Sequence, residues 1–207
     1  QLPYLGVSYT EEEIKTALDN KMLKYTQYSD KALAAIMAEY ISQNRIVAFH
    51  RGRTGLGPRA LCHRSILANP ANPAMKDILN NRVKHREPFR PFAPSVIEEE
   101  QYKYFDLLQD SPYMLLATTV KPEYQEKLAS ITHVDGTARI QSVSEESEPF
   151  IHMFLLELKK KTGFPVVLNT SFNVAGQPIV ESPDDAIDTF LLNDIDILVI
   201  GNYVVAK

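Results

Sequence analysis

Three short segments hold the residue types that can grip an oxyanion. The first, "FHRGRTGLGPRALCHRS", places Arg51, Arg53, Arg59 and Arg64 among Gly52, Gly55 and Gly57. A guanidinium is a planar fork of donors that matches phosphate or carboxylate, and glycine lets the backbone come close to a ligand. Pro58 is expected to fix the exit of this loop. The same composition also suits a solvated basic loop tied by structural ion pairs. The second, "NNRVKHREPFRPFAPS", carries Lys84, Arg86 and Arg90. Pro88, Pro91 and Pro94 disfavour helix. In an extended chain Lys84, Arg86, Pro88 and Arg90 share one parity, so three cations are expected to face one place. The alternative is a nucleic-acid patch in which Phe89 and Phe92 stack on bases. The third, "VVLNTSFNVAGQPI", runs from a buried strand into Asn169, Thr170, Ser171 and Asn173, with Gly176 closing the loop. Small hydroxyl and amide groups at a strand's carboxyl end suit phosphate, ribose or a small amide. They also suit a turn that bonds only to itself.

The charge pattern supports an anion site. The chain has 207 residues and a formal net charge of −4. Between Arg45 and Arg90, ten basic residues stand against Asp77 and Glu87, a local +8; the remainder, twelve basic and 24 acidic, carries −12. One segment attracts anions in a chain that otherwise repels them, and an acidic domain without lysine-rich runs argues against nucleic acid. Cys62 is the sole cysteine, which excludes an internal disulfide and fits a reducing cytoplasm. It reads as buried filler before it reads as a nucleophile. His133 and Asp135 alternate in "THVDGTAR" but lack a third and fourth ligand, and His50, His63, His85 and His152 form no metal pattern. No P-loop, dinucleotide fingerprint, nucleophile elbow, paired-cysteine or zinc-protease motif occurs. No apolar run is long enough to span a membrane. The start reads as no signal peptide and lacks an initiating Met, so the chain is expected to be a piece of something longer.

The elements that must position these residues follow from periodicity. Helices are expected over Tyr9–Asn20, capped by Thr10; after Tyr28, with Asp30 as cap and Leu33, Ile36, Met37, Tyr40 and Ile41 on one face; from Pro73 to Val83; over Pro149–Gly163; and from Glu181 to Leu192, capped by Ser182. Strands are expected in "RIVAFH", "RSILAN", "PYMLLATTV", "FPVVLN", "IDILVIG" and "YVVAK", with "ASITHV" and "ARIQSV" paired across Asp135-Gly136. "SEESEP" is expected to be a solvated loop. Irregular alternation predicts an α/β (mixed α+β) fold: an open twisted mixed sheet with helices packed on it.

Taken together, "GRTGLGPRAL-HRSILA", "KHREPFRPFAPSV", "THVDGTARIQ" and "LNTSFNVAGQPIV" resemble the C-terminal domain of the O-carbamoyltransferases, a family that includes the nodulation carbamoyltransferases and those of antibiotic biosynthesis. Four motifs in order cover nearly the whole chain. The domain is similar to the YrdC-like fold of threonylcarbamoyl-adenylate synthases, whose Lys-x-Arg and Ser-x-Asn signatures would be Lys84 with Arg86 and Ser171 with Asn173. Arg51, Gly55 and Cys62-His63 depart from the family pattern, which has Gln, an acidic residue and Gly-Asn there. The resemblance implies ATP and carbamoyl phosphate as ligands, with Mg2+ on the nucleotide. It implies formation of carbamoyl-adenylate and transfer of its carbamoyl group to an acceptor hydroxyl by a separate actin-like N-terminal domain. It assigns Lys84, Arg86 and Arg53 as catalytic and Arg59, Arg90, Arg139, Asn169, Ser171 and Asn173 as substrate-binding, with no metal ligands in this chain. Residues 1–22 would lead in from the missing domain and residues 23–207 would form the YrdC-like domain, with a homodimer left open. A non-catalytic RNA-binding module and a scaffolding partner are the competing classes.

Overall fold

The computed structural model describes residues 5–55, 57 and 59–207; Pro58 lies outside them. Among the described residues ten strands form: β1 (Thr26–Gln27), β2 (Val47–His50), β3 (Arg64–Ala68), β4 (Ala93–Ile97), β5 (Ala117–Thr119), β6 (Thr137–Arg139), β7 (Gln141–Val143), β8 (Val166–Ser171), β9 (Ile197–Ile200) and β10 (Tyr203–Ala206). Eight of them build one sheet in the order β1-β10-β9-β2-β3-β8-β4-β7. The β2–β9 and β4–β7 pairs are parallel and the others antiparallel. β5 and β6 form a separate antiparallel pair.

Seven α-helices accompany the strands among the described residues: α1 (Glu11–Asn20), α2 (Asp30–Ser42), α3 (Met75–Leu79), α4 (Gln101–Tyr104), α5 (Pro122–Gln125), α6 (Pro149–Thr162) and α7 (Pro183–Leu192). Strand residues alternate between two cores. Val47, Phe49, Leu67, Val167 and Ile197 pack with α2 and α6. Ala48, Ile66, Leu168, Leu198 and Ile200 pack with α1, α3 and α7 on the opposite face. A sheet covered on both faces explains why the central strands are apolar throughout. The caps follow local chemistry. Thr10 and Glu13 form a reciprocal capping box on α1, as do Ser182 and Asp185 on α7. Gly163 ends α6 at φ 86°, a left-handed turn that glycine makes without strain.

Four expectations are corrected. The cap of α2 is Ser29, whose hydroxyl accepts from Ala32 N; Asp30 is already helical, and its carboxylate holds Arg51 and Asn202. The Asp135-Gly136 turn forms, with Gly136 at φ 80°, but "ASITHV" supplies a 3-10 turn at Ala129–Ile131 instead of a strand. The Thr132 hydroxyl donates to the Leu128 carbonyl four residues back, a local bond that competes with a sheet ladder, and the Ser130 hydroxyl donates to the distant Asn72 carbonyl. "ARIQSV" is not one strand. Residues 137–139 pair with β5 while 141–143 pair with β4, so the chain changes sheets at Ile140. Of "PYMLLATTV", three residues become β5; Met114 sits at φ 55°. No helix among the described residues is long and apolar enough to cross a membrane.

Candidate functional site

The ladder around β8 gathers the three segments at one end of the sheet. β3 runs antiparallel to β8 with Ser65 opposite Ser171, and β4 does the same with Ala93 opposite Asn169. Where β8 ends, β3 and β4 therefore begin. The loops that feed them, 59–63 and 86–92, must sit over the carboxyl end of β8. They enclose a cavity of about 290 Å³ whose wall includes Arg59, Arg86, Arg90, Arg139, Asn169 and Ser171. Arg139 comes from β6 of the small sheet, where it pairs with Ala117. A neighbouring cavity of about 370 Å³, with Phe89, Val134 and Lys76 in its wall, shares Pro91, Phe92 and His133 with the first.

Charge in the cavity is crowded. Burial, then the Arg139 charge, lowers Arg59 from its ordinary pKa. Burial, then Arg90, lowers Arg86 against an opposing pull from Glu87. Like charges held together in a partly dry space favour an anion between them. Two contacts aim Arg86: its Nε donates to Asn80 Oδ1 at 2.9 Å, and its guanidinium lies 4.8 Å from the Phe92 ring centroid. His133 is also lowered, chiefly by burial, with Arg139 adding to that and Asp135 opposing it.

Lys84 sits behind this wall and is 5% exposed. Its Nζ donates to Ser171 O (2.5 Å), Ser171 Oγ (3.3 Å), Asn173 O (3.1 Å) and Asn173 Oδ1 (2.9 Å). Burial, and secondarily Arg86, pushes its pKa down to about 7. Four acceptors oppose this, because only the ammonium offers donors in three directions. Ser171 Oγ donates to Asn173 Oδ1 at 2.7 Å, and Asn173 Nδ2 to Gln177 O at 2.8 Å. Lys84, Ser171 and Asn173 are thus one cluster.

The shared parity expected for Lys84, Arg86 and Arg90 is not how the cations converge. Residues Asn80–Lys84 form a π-helical turn after α3, and His85 follows in the left-handed region at φ 48°. Lys84 is buried, Arg86 half-buried and Arg90 exposed beside Glu87 at 3.6 Å. A wide helical turn followed by a reversal brings them together, at a place where π turns recur in functional sites.

The arginines of the first segment divide by role. Arg59 faces the cavity. Arg51 pairs with Asp30 at 2.8 Å and lies 4.1 Å from the Phe150 ring centroid. Arg53 is exposed and stands outside the cavity wall, its carbonyl accepting from His63 Nδ1. Arg64 is 1% exposed and donates to the carbonyls of Arg51, Gly52, His63 and Glu181. Burial lowers it to about 10. Arg82, also counted in the basic segment, is neutralised by Asp194 and Asp196.

Cys62 is buried, and burial pushes its thiol up to about 12, which suppresses the thiolate a nucleophile needs. Its φ is 63°, left-handed geometry at which glycine, the residue of the family pattern, is unstrained. The sequence reading missed the buried polar pair Ser95 and Gln141 beneath the cavity floor. Their signal was a polar residue inside the short apolar strands "APSVI" and "IQSV".

Structural comparison places this arrangement on a known fold. Sua5 of P. abyssi, complexed with L-threonine, matches with TM-score 0.60 at 16% identity over 86% of this chain and 48% of that one. Full-length HypF in a phosphate- and nucleotide-bound form matches with TM-score 0.53 at 20% identity over 88% of this chain and 22% of that one. The molecule is a mixed α/β domain of the YrdC/Sua5-like class. Its sequence relatives narrow this. The family described as Carbamoyltransferase C-terminus matches residues 38–207. Nodulation protein NolNO of Sinorhizobium fredii is 43% identical over 178 residues, 84% of this chain and 26% of that protein. An uncharacterized Synechocystis protein is 40% identical over 226 residues, 99% of this chain and 37% of its own length. The chain belongs to the carbamoyltransferase C-terminus family and spans 26% and 37% of the length of these two relatives.

Proposed function

We propose that this chain is the activating part of a longer ATP-dependent O-carbamoyltransferase, in which residues 23–207 bind ATP and carbamoyl phosphate and make carbamoyl-adenylate. Residues 1–22 lead in from an N-terminal actin-like domain that moves the carbamoyl group to an acceptor hydroxyl. The observation that carries the reading is the convergence of Arg59, Arg86, Arg90 and Arg139 with Asn169 and Ser171 on one cavity at the end of β8. Two polyanions must meet there, and crowded arginines offset their repulsion. The cavity is a single concave site, which fits small phosphorylated ligands better than a nucleic-acid strand.

Water and carbamoyl phosphate give carbamate and phosphate. A carbamate oxygen then attacks the α-phosphorus of ATP, and the bond to pyrophosphate breaks. Arg59 and Arg139 hold the carbamoyl phosphate oxygens, while Arg86 and Arg90 hold the nucleotide phosphates. Lys84 lends positive charge from behind through Ser171 and Asn173, and Mg2+ arrives on the triphosphate. Catalysis is then mostly positioning and neutralisation of charge spread over phosphate oxygens. Arg53, assigned by resemblance to catalysis, reaches ligand in this reading only if its loop moves.

The test is exchange of labelled pyrophosphate into ATP by the 207-residue chain. Exchange that requires carbamoyl phosphate, with no carbamoylation of added alcohols, is expected. Exchange that ignores carbamoyl phosphate, or no exchange at all, overturns the reading.

A further inference from the structure

Beneath the arginine cavity lies a relay of amides with a fixed sense. Gln141 Nε2 donates to the Leu61 carbonyl at 3.4 Å, so its Oε1 faces inward. Ser95 Oγ donates to that Oε1 at 2.7 Å. Asn169 Nδ2 reaches Gln141 Oε1 at 3.1 Å, Ser95 Oγ at 3.0 Å and Cys62 Sγ at 3.2 Å. Ser95, Gln141 and Cys62 are each no more than 1% exposed and Asn169 is 3% exposed, so flipping any amide would set oxygen against oxygen out of reach of water, at a cost of a buried unpaired group. The Leu61 carbonyl thereby sets Gln141, and Gln141 sets Asn169. Cys62 reaches the relay because Leu61 and Cys62 both adopt left-handed backbone, at φ 48° and 63°. The amide nitrogen of Asn169 is committed to this floor, while the residue also forms part of the cavity wall beside Arg59, Arg86 and Arg139.

We infer that Asn169 is the specificity-determining residue of the cavity: its side-chain carbonyl, turned upward by Ser95, Gln141 and Cys62, accepts from the NH2 of a ligand's carboxamide while the arginines take that ligand's oxyanions. This rests on the proposed reading that carbamoyl phosphate enters here. It adds that the site separates a carbamoyl from an acyl group of equal shape. Acetyl phosphate carries a methyl where carbamoyl phosphate carries NH2, so it leaves the Asn169 acceptor unpaired. A site built to hydrogen-bond a group discriminates against an analogue that lacks it. Gln141 is a positioning residue, touching Asn169 and not the ligand.

The experiment is calorimetric binding of carbamoyl phosphate, acetyl phosphate and inorganic phosphate to the full chain and to two variants. The chain as it stands is expected to prefer carbamoyl phosphate over acetyl phosphate by about tenfold or more, the worth of one hydrogen bond. Asn169→Ala is expected to bring that ratio near one with phosphate binding retained. Gln141→Leu puts an apolar side chain of similar size into the floor and frees Asn169 to flip; it is expected to shrink the ratio without loss of phosphate, which a general loss of structure would not do. A ratio near one in the unaltered chain overturns the inference while leaving the proposed function standing, and needs no variant to fold. An Asn169→Ala chain that loses ATP but keeps the ratio assigns the acceptor to a nucleotide hydroxyl and also overturns it. Failure of both carbamoyl and acetyl phosphate to bind overturns the proposed function together with this inference.

Discussion

Arg64 lies five residues from Arg59 of the cavity, yet it and the cavity arginines solve opposite problems. Arg64 is surrounded by carbonyls: Arg51, Gly52, His63 and Glu181 all accept from it, and its donors knot the loop above β3 to the segment before α7. Arg59, Arg86 and Arg139 instead lie close to other cations, with Arg139 lowering Arg59 and Arg90 lowering Arg86. The first arrangement takes its acceptors from the protein's own backbone, with Nη2 alone left unpaired, and the second is completed by a ligand. Residue type is the same in both; what separates them is whether the acceptors come from the protein.

The sharpest way to break this contrast is Arg64→Ala. Four carbonyls lose a charged donor, of which those of His63 and Glu181 keep Arg51 N and His50 Nε2; a group left dry and unpaired costs about 1–3 kcal/mol, and the packing of a buried guanidinium is lost as well. A loss of about 3 kcal/mol or more is expected in urea denaturation, with ATP affinity unchanged in the molecules that remain folded. A mild stability loss coupled to lost ligand affinity would move Arg64 into the site. Next is Arg139→Ala. Losing one charged hydrogen bond to phosphate is worth about 1.5–3 kcal/mol, or roughly one to two decades in affinity. The ligand-free melting point should hold or rise, because a like charge leaves the neighbourhood of Arg59. A lowered melting point with full ligand affinity would make Arg139 structural.

The smallest effect concerns Lys84. Free of ligand, its pKa is about 7 because burial, helped by Arg86, disfavours the ammonium. An anion in the cavity favours the charged form and raises that value. ATP affinity is therefore fully present below about pH 7 and falls as pH rises through it, by at most about tenfold per pH unit for one linked proton. Lys84→Gln should bind more weakly at pH 6 and flatten the profile above 7. A profile for the unaltered chain that is flat between pH 6 and 9 would show that Lys84 keeps its proton throughout or takes no part in binding.

Much of this was legible from sequence. Most of the sheet-forming runs and the helix caps at Thr10 and Ser182 follow from local chemistry that the structure preserves, and the three segments singled out in the sequence meet at one cavity. Segment geometry was harder. Lys84, Arg86 and Arg90 converge through a π turn and a left-handed His85, and no two-residue period encodes that. The change of sheet at Ile140 was hidden because "ARIQSV" has good strand composition throughout, while its pairing partners, β5 and β4, are chosen by tertiary contacts. Arg64 read like its neighbours because the carbonyls that claim it, from residues 51, 52, 63 and 181, belong to the backbone, whose acceptors no side-chain pattern reveals. Ser95 and Gln141 were visible as polar breaks in apolar strands, but their meeting depends on β4 pairing with β7.

The π turn at Asn80–Lys84 also constrains chain length. An α-helix rotates by about 100° per residue, from 3.6 residues per turn, and a π turn accommodates one residue more in its hydrogen-bonded loop. Deleting a single residue between Asn80 and Val83 would let the segment close at the tighter pitch with Lys84 still near its present phase about the axis. An insertion has no such outlet: one more residue would carry Lys84 on by roughly a quarter-turn, away from Ser171 and Asn173, even though every side chain of the cluster survived. The turn already holds its surplus residue, so the spacing between Met75 and Lys84 can shorten by one more readily than it can lengthen.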